Sequence, residues 1–342
     1  MAIKWSWAFG TETPTTLEEM TWDFQSVGAG SVSTTQTYSY VGSPTRRSMA
    51  MDDPFVNNLF RVPTEAFSTQ GWLSAAVYLD FNAGAGTNSN TILSITGGGT
   101  GRGIYIRSTN VSTNTYSLYV DNVFKENFTL LPNRWNYIGL LYDMSSSPWS
   151  GRVYVDGAPV TALHTDAQTA ETTGGLFCGG TINGQHTYFA QIIAYDDTAD
   201  SGETPYFVTR VDPMADVSVT GPNWSSTAAD NHSALESPFS AASYVNDDPT
   251  TAGNDVIVST TDLTTQLGTV PTTVAAVTVH TWATGSGVTG RAELSDDNAT
   301  YTAGNTITPS VNATYTYATN VTQPSGGAWT SASNIFYKYE VI

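Results

Sequence analysis

The 342-residue chain carries 30 acidic and 12 basic residues, a formal charge of −18, and only 12% of its residues are charged. A phosphate backbone or an anionic lipid surface would repel such a chain, so nucleic acid is not expected as a partner, and no run approaches the roughly 18 or more apolar residues of a membrane span, so membrane insertion is not expected either. Its length exceeds what one core usually spans, its 40% hydrophobic content excludes wholesale disorder, and its single cysteine, Cys178, excludes an intrachain disulfide.

Strand signals dominate the chain order. Helical periodicity is nearly absent; short helical turns are predicted only at residues 14–20, 53–60 and 205–211, where Pro or acidic residues stand at the start. The first strong strand covers residues 72–80 and is opened by Trp72. Residues 91–95 and 103–107 flank Gly97-Gly98-Gly99 and read as neighbouring strands, with Ile104 and Ile106 on one face and Tyr105 and Arg107 on the other. One strand is predicted over 116–124, alternating Leu118 and Val120 against Tyr119 and Asp121. The apolar run 135–143 suits a central strand, and Trp72 and Trp135 are predicted core residues. Residues 152–156 end in Asp156-Gly157, a hairpin turn because both positions favour positive φ. A short strand at 191–195 follows.

After Asp212-Pro213 a turn-rich stretch opens a second strand set, at 255–259, 274–282, 291–294, 301–307, 314–318 and 335–341. In the second of these, Val277 and Val279 oppose Thr278, His280 and Trp282. The reading is an all-β chain with a first domain over residues 1–212 and a second, smaller β-sandwich over 213–342.

From about Gly71 to Pro213 the order of motifs resembles the concanavalin A-like, laminin-G-like jelly roll. Trp72 opens a strand, and Ile92-Leu93-Ser94-Ile95 and Gly103-Ile104-Tyr105-Ile106 follow. Then come Arg134-Trp135-Asn136-Tyr137-Ile138, Tyr142-Asp143 and Gly151-Arg152-Val153-Tyr154-Val155-Asp156-Gly157. Over most of residues 71–342 the arrangement also resembles bacteriophage virion proteins that pair such a domain with a second β-domain. The matching stretches are Ala194-Tyr195-Asp196, Val211-Asp212-Pro213, Trp224, Asn246-Asp247-Asp248-Pro249, Val274 to Val279 and Pro324 to Thr330. Residues 1–70 carry no family pattern and are read as completing the first sandwich or as an assembly extension.

The resemblance implies a structural virion component, tail- or fibre-associated, made in a host cytoplasm. Its expected partners are other virion proteins and copies of itself, with host-surface polysaccharide as a further ligand. A capsid decoration protein, an extracellular carbohydrate-binding module and a polysaccharide depolymerase are the alternatives. Retaining glycosidases on this sandwich carry a Glu-x-Asp-x-x-Glu strand. Here Glu293 is followed by Asp296 and Asp297 without the next acid in register, so no catalytic residue is carried over and no enzyme is expected.

For glycan or interface contact the candidates are Trp149, in the polar run Ser145 to Ser150, then Tyr188 and Trp224. No cofactor is required by the reading. Calcium, which such sandwiches often hold, would find oxygen ligands at Asp196, Asp197 and Asp200. The histidines His164, His186, His232 and His280 stand in no metal-ligand spacing and are read as surface or strand residues.

Overall fold

Period-two alternation of apolar side chains governs the first part of the chain and builds two facing sheets. In the computed structural model the described residues are 3–8, 25–27, 32–35, 48–51, 57–62, 66–80, 91–110, 114–181, 186–196, 208, 213–222, 224–235, 245–247, 251–260, 274–285, 289–309, 314–320, 322–330 and 334–342. They fall into two compact units, one essentially residues 1–209 and the other 210–342.

The first unit runs β1 (Ile3–Ala8), β2 (Gln25–Val27), β3 (Val32–Thr35), β4 (Ser48–Met51), β5 (Asn57–Arg61), β6 (Gln70–Asp80), β7 (Thr91–Gly97) and β8 (Gly103–Asn110). It continues with β9 (Thr115–Val120), β10 (Val123–Thr129), β11 (Trp135–Asp143), β12 (Trp149–Val155), β13 (Ala158–Pro159), β14 (His164–Asp166), β15 (Thr173–Thr181) and β16 (His186–Tyr195). A nine-stranded sheet has the order β13-β12-β11-β6-β16-β4-β3, with β1 also on β16 and β14 also on β12. A seven-stranded sheet has the order β10-β9-β8-β7-β15-β5-β2. Neighbours that are distant in sequence, all antiparallel, make this a jelly-roll sandwich.

Its core is the meeting of the two inner faces. Leu73, Val77 and Leu79 of β6, Leu140 of β11 and Ile192 of β16 meet Leu93, Ile95, Ile104, Ile106, Leu118 and Leu176 of the other sheet, all without solvent exposure. Burial of this kind is the dominant favourable term in folding. Cys178 lies in this core as a small hydrophobe, its thiol pushed up by burial. The central place of β11, between β12 and β6, agrees with its apolar sequence.

Several local readings are corrected. The predicted strand 116–124 is two strands, because Asp121 and Asn122 both adopt positive φ, 56° and 61°, and turn the chain between β9 and β10. The predicted helical turn at 53–60 gives way at residues 57–60 to β5, which pairs with β15. The predicted turns at 14–20 and, apart from Val208, at 205–211 lie outside the described residues. Trp72 is core, packed at 4.8 Å on Tyr154 and 5.8 Å on Tyr195, whereas Trp135 is only partly buried, at 5.6 Å from Tyr78. The Asp156-Gly157 turn holds, with φ of 51° and 83°.

The second unit contains β17 (Ala215–Thr220), β18 (Trp224–Ser226), a short helix α1 (Asn231–Leu235), β19 (Val245–Asp247) and β20 (Asp255–Ser259). Then follow β21 (Val277–Ala283), β22 (Gly290–Ser295), β23 (Thr302–Ile307), β24 (Thr314–Asn320) and β25 (Phe336–Val341). A five-stranded sheet, β17-β20-β25-β22-β23, is faced by the β21–β24 ribbon, and β18 pairs with β19. Leu294, Trp329 and Ile335, with Val274, Val277 and Val279 packed on them, form the core between the layers. On the opposite face of the sheet, Arg291, Glu293, Lys338 and Glu340 form a ladder of alternating charge.

Candidate functional site

The structure redistributes the residues singled out from sequence. Trp149 is not an open platform. It is the first residue of β12, pairs with Asp166, and points into the core with no exposure, its Nε1–H donating to the Thr169 carbonyl at 2.9 Å. Tyr188 is likewise buried, 6.1 Å from Tyr78 in an edge-on arrangement. Trp224 is part-exposed and donates from Nε1 to the Thr220 carbonyl at 3.1 Å. The first two are claimed by packing in the first unit, and Trp224 belongs to the second unit.

Of the calcium candidates, Asp196 forms an ion pair with Lys4 at 2.8 Å, while Asp197 and Asp200 lie outside the described residues. A different group has metal-ligand chemistry: Asp216, Asp230 and His232 bring ligand atoms within 4.8 Å of one another. These atoms already serve the start of α1. The Asp216 carboxylate accepts from the amides of Asn231 and His232, at 2.9 and 2.7 Å, and Asp230 accepts from the Ser233 amide at 3.0 Å. The His232 ring stands 3.0 and 3.2 Å from the two carboxylates. The arrangement is a cap for a short helix.

The feature with ligand-binding geometry lies on the outer face of the seven-stranded sheet. Alternation buries Ile104 and Ile106 of β8 and turns Tyr105 and Arg107 outward, as the sequence predicts. Cross-strand register then aligns five outward residues from five successive strands. Phe177 of β15 stands opposite Ser94 of β7, Ser94 opposite Tyr105 of β8, Tyr105 opposite Tyr119 of β9, and Tyr119 opposite Phe124 of β10. The Tyr105 and Tyr119 rings lie near-parallel, 4.8 Å apart at 12°, and the Phe124 ring meets Tyr119 edge-on at 6.0 Å. Phe124 is 50% exposed, and Tyr105, Tyr119 and Phe177 are part-exposed.

At the far end of the row, a Cβ on Gly175 would run into the Phe177 ring. The ring therefore lies across Gly175, a place that only glycine leaves open. Alongside, Arg107 stands opposite Ser117 and Ser117 opposite Asn127; Ser117 is fully buried and its hydroxyl donates to Asn127 Oδ1 at 2.5 Å, so Arg107 and Asn127 are the polar groups at these positions that reach the surface. Burial pushes the Tyr105 phenol up, and its hydrogen bond with Arg107 only partly offsets this, so it stays a neutral hydroxyl at physiological pH.

Beside the β9–β10 hairpin the carboxylates are engaged. Asp121 accepts from Arg102 at 2.9 and 3.1 Å and from Gln168 at 2.8 Å. Asp166 is held below the usual carboxylate range by its hydrogen bond from Lys125. Glu126 is held down by hydrogen bonds from His164, at 2.7 Å, and from the Ala162 amide, at 2.8 Å.

No protein-family model matches the sequence, and no curated protein matches it. Among solved structures, the chain is similar to the catalytic domain of a glycoside hydrolase family 131 protein from Coprinopsis cinerea, at 12% identity and a TM-score of 0.40, over 58% of this chain and 100% of that one. A family 131 β-glucanase catalytic domain from Podospora anserina matches at 13% identity and 0.36, over 58% and 97%. A Trypanosoma rangeli sialidase matches at 13% identity and 0.31, over 47% of this chain and 30% of that one. The expectation that the chain is no enzyme is corrected on this finding, since hydrolytic domains stand among the structures similar to it. Likeness at these TM-scores assigns the chain no reaction.

Proposed function

We propose that the chain is a glycan-recognising component of a bacteriophage particle, tail- or fibre-associated, and that the outer face of its seven-stranded sheet reads host-surface polysaccharide. The observation that carries this reading is the cross-strand row Phe177, Ser94, Tyr105, Tyr119 and Phe124 with Arg107 and Asn127 beside it. Aromatic rings take the apolar C–H faces of sugars, while the tyrosine phenols, the Ser94 hydroxyl, the Asn127 amide and the Arg107 guanidinium, all at least part-exposed, bond the sugar hydroxyls. An acidic chain of net charge −18 stays soluble when displayed at high copy. The virion setting is supported by the sequence resemblance.

Two experiments test the two halves. Calorimetric titration with polysaccharide from the host surface is expected to show binding that Tyr105→Ala/Tyr119→Ala weakens by about tenfold or more. A parent chain that binds no such polysaccharide sinks glycan recognition. Antibody labelling of intact particles tests the setting, and unlabelled particles remove it.

A further inference from the structure

Resting on that reading, we infer that this face takes an internal stretch of an extended polysaccharide, laid across the strands and about four sugar rings long, and not a chain end or a single sugar. The row uses one residue from each of five adjacent strands, β15, β7, β8, β9 and β10. Strands lie about 4.8 Å apart, so four gaps span about 19 Å, and a sugar ring advances a chain by about 5 Å. A site for one terminal sugar converges its polar groups on a point. Here the groups stand in line at strand spacing.

The members of the row differ in what they offer. Phe177 lies across Gly175 and serves as a flat platform. Tyr105 and Tyr119 stand face to face at one strand spacing, so they offer ring edges and hydroxyls. Ser94, between Phe177 and Tyr105, leaves a notch two strand spacings wide, about 10 Å, enough for one ring. Half-exposed Phe124 closes the row at the edge strand. A chain crossing here stacks one ring on Phe177, sets the next over Ser94, and bonds the following ones to the tyrosines.

The test is calorimetry on the full chain with host-surface polysaccharide and with chito-, cello- and oligogalacturonate series of one to eight residues. In the series that binds, affinity is expected to rise up to about four or five residues and then level off. Phe177→Ala is expected to weaken the tetramer about tenfold while changing the disaccharide less. Ser94→Tyr, which fills the notch from a part-exposed position, is expected to abolish tetramer binding with an unchanged melting temperature. A single sugar that binds as tightly as the tetramer overturns the inference and leaves glycan recognition standing. So does polysaccharide binding that both variants leave intact. If neither the polysaccharide nor any oligosaccharide binds, recognition and inference fall together.

Discussion

Trp149→Ala is the sharpest test of how the first sandwich is held. The indole is wholly buried, its outer edge packs against Gly97, and its N–H satisfies the Thr169 carbonyl. Truncation leaves a cavity the size of an indole between the sheets and removes one hydrogen bond. Large aromatic deletions from cores cost about 3–5 kcal/mol, and the lost donor places this one in the upper half of that range. For a unit of about 200 residues each kcal/mol shifts the melting temperature by about 2–4 °C, so a fall of about 8–20 °C is expected. Trp149→Phe keeps most of the packing, loses the donor, and is expected to cost about 1–2 kcal/mol. Scanning calorimetry of the full chain, with guanidinium unfolding as a second measure, reads both. If Trp149→Ala melts within a degree or two of the parent, the indole faces solvent and the buried assignment is wrong.

Trp135→Ala is expected to cost less than Trp149→Ala, about 1–2 kcal/mol, because Trp135 keeps part of its ring in water; the reverse ranking in chemical unfolding would contradict the burial pattern. Gly151→Val is expected to destabilise by about 1–3 kcal/mol, since even a Cβ there meets Ile104 Cγ2 at 2.8 Å; an unchanged unfolding midpoint would refute that contact. In the second unit, burial raises the Glu340 carboxyl, but hydrogen bonds from Arg291 and Lys338 outweigh it and hold the group below its usual value. That stability is present above the unfolded pKa of about 4.3 and is lost as pH falls through the folded value. Burial pushes the Lys338 ammonium down, yet Glu293 and Glu340 outweigh it and hold the group up. Its share is present below the unfolded pKa of about 10.4 and is lost as pH rises through the folded value. Melting temperature across pH is thus expected to fall at both ends, and Glu340→Gln to flatten the acid limb; an acid limb identical to the parent's would show that the ladder does not act.

Much of the sandwich was legible because alternation is a local property. Residues 135–143 were readable as a central strand, and Asp156-Gly157 as a hairpin turn, from side chains a few positions apart. Asp121-Asn122 was missed because neither residue is glycine, yet both side chains tolerate left-handed backbone, and the turn splits one apparent strand in two. Trp149 was misplaced for a similar reason. Its neighbours Ser145 to Pro148 are polar, but its own surroundings are set by β14 and the Thr169 carbonyl, 17 and 20 residues further on.

The candidate site was legible only in fragments, and the missing quantity was register. Alternation put Tyr105 opposite Ile104 and Ile106, and Tyr119 opposite Leu118 and Val120, but nothing local says that the two tyrosines are cross-strand neighbours. Two irregularities decide the rest. On β7, Thr91 pairs with Arg107 and Ser94 with Tyr105, so one extra residue shifts the strand and brings Ser94 into the row. On β10 a second shift falls between Phe124 and Glu126, immediately past the position where Phe124 faces Tyr119. A one-residue slip reverses which face a side chain occupies, so each bulge decides which residues share a surface. An aromatic row assembled in this way leaves no contiguous motif in the sequence, and its five members, at positions 94, 105, 119, 124 and 177, become one surface only when the strands pair.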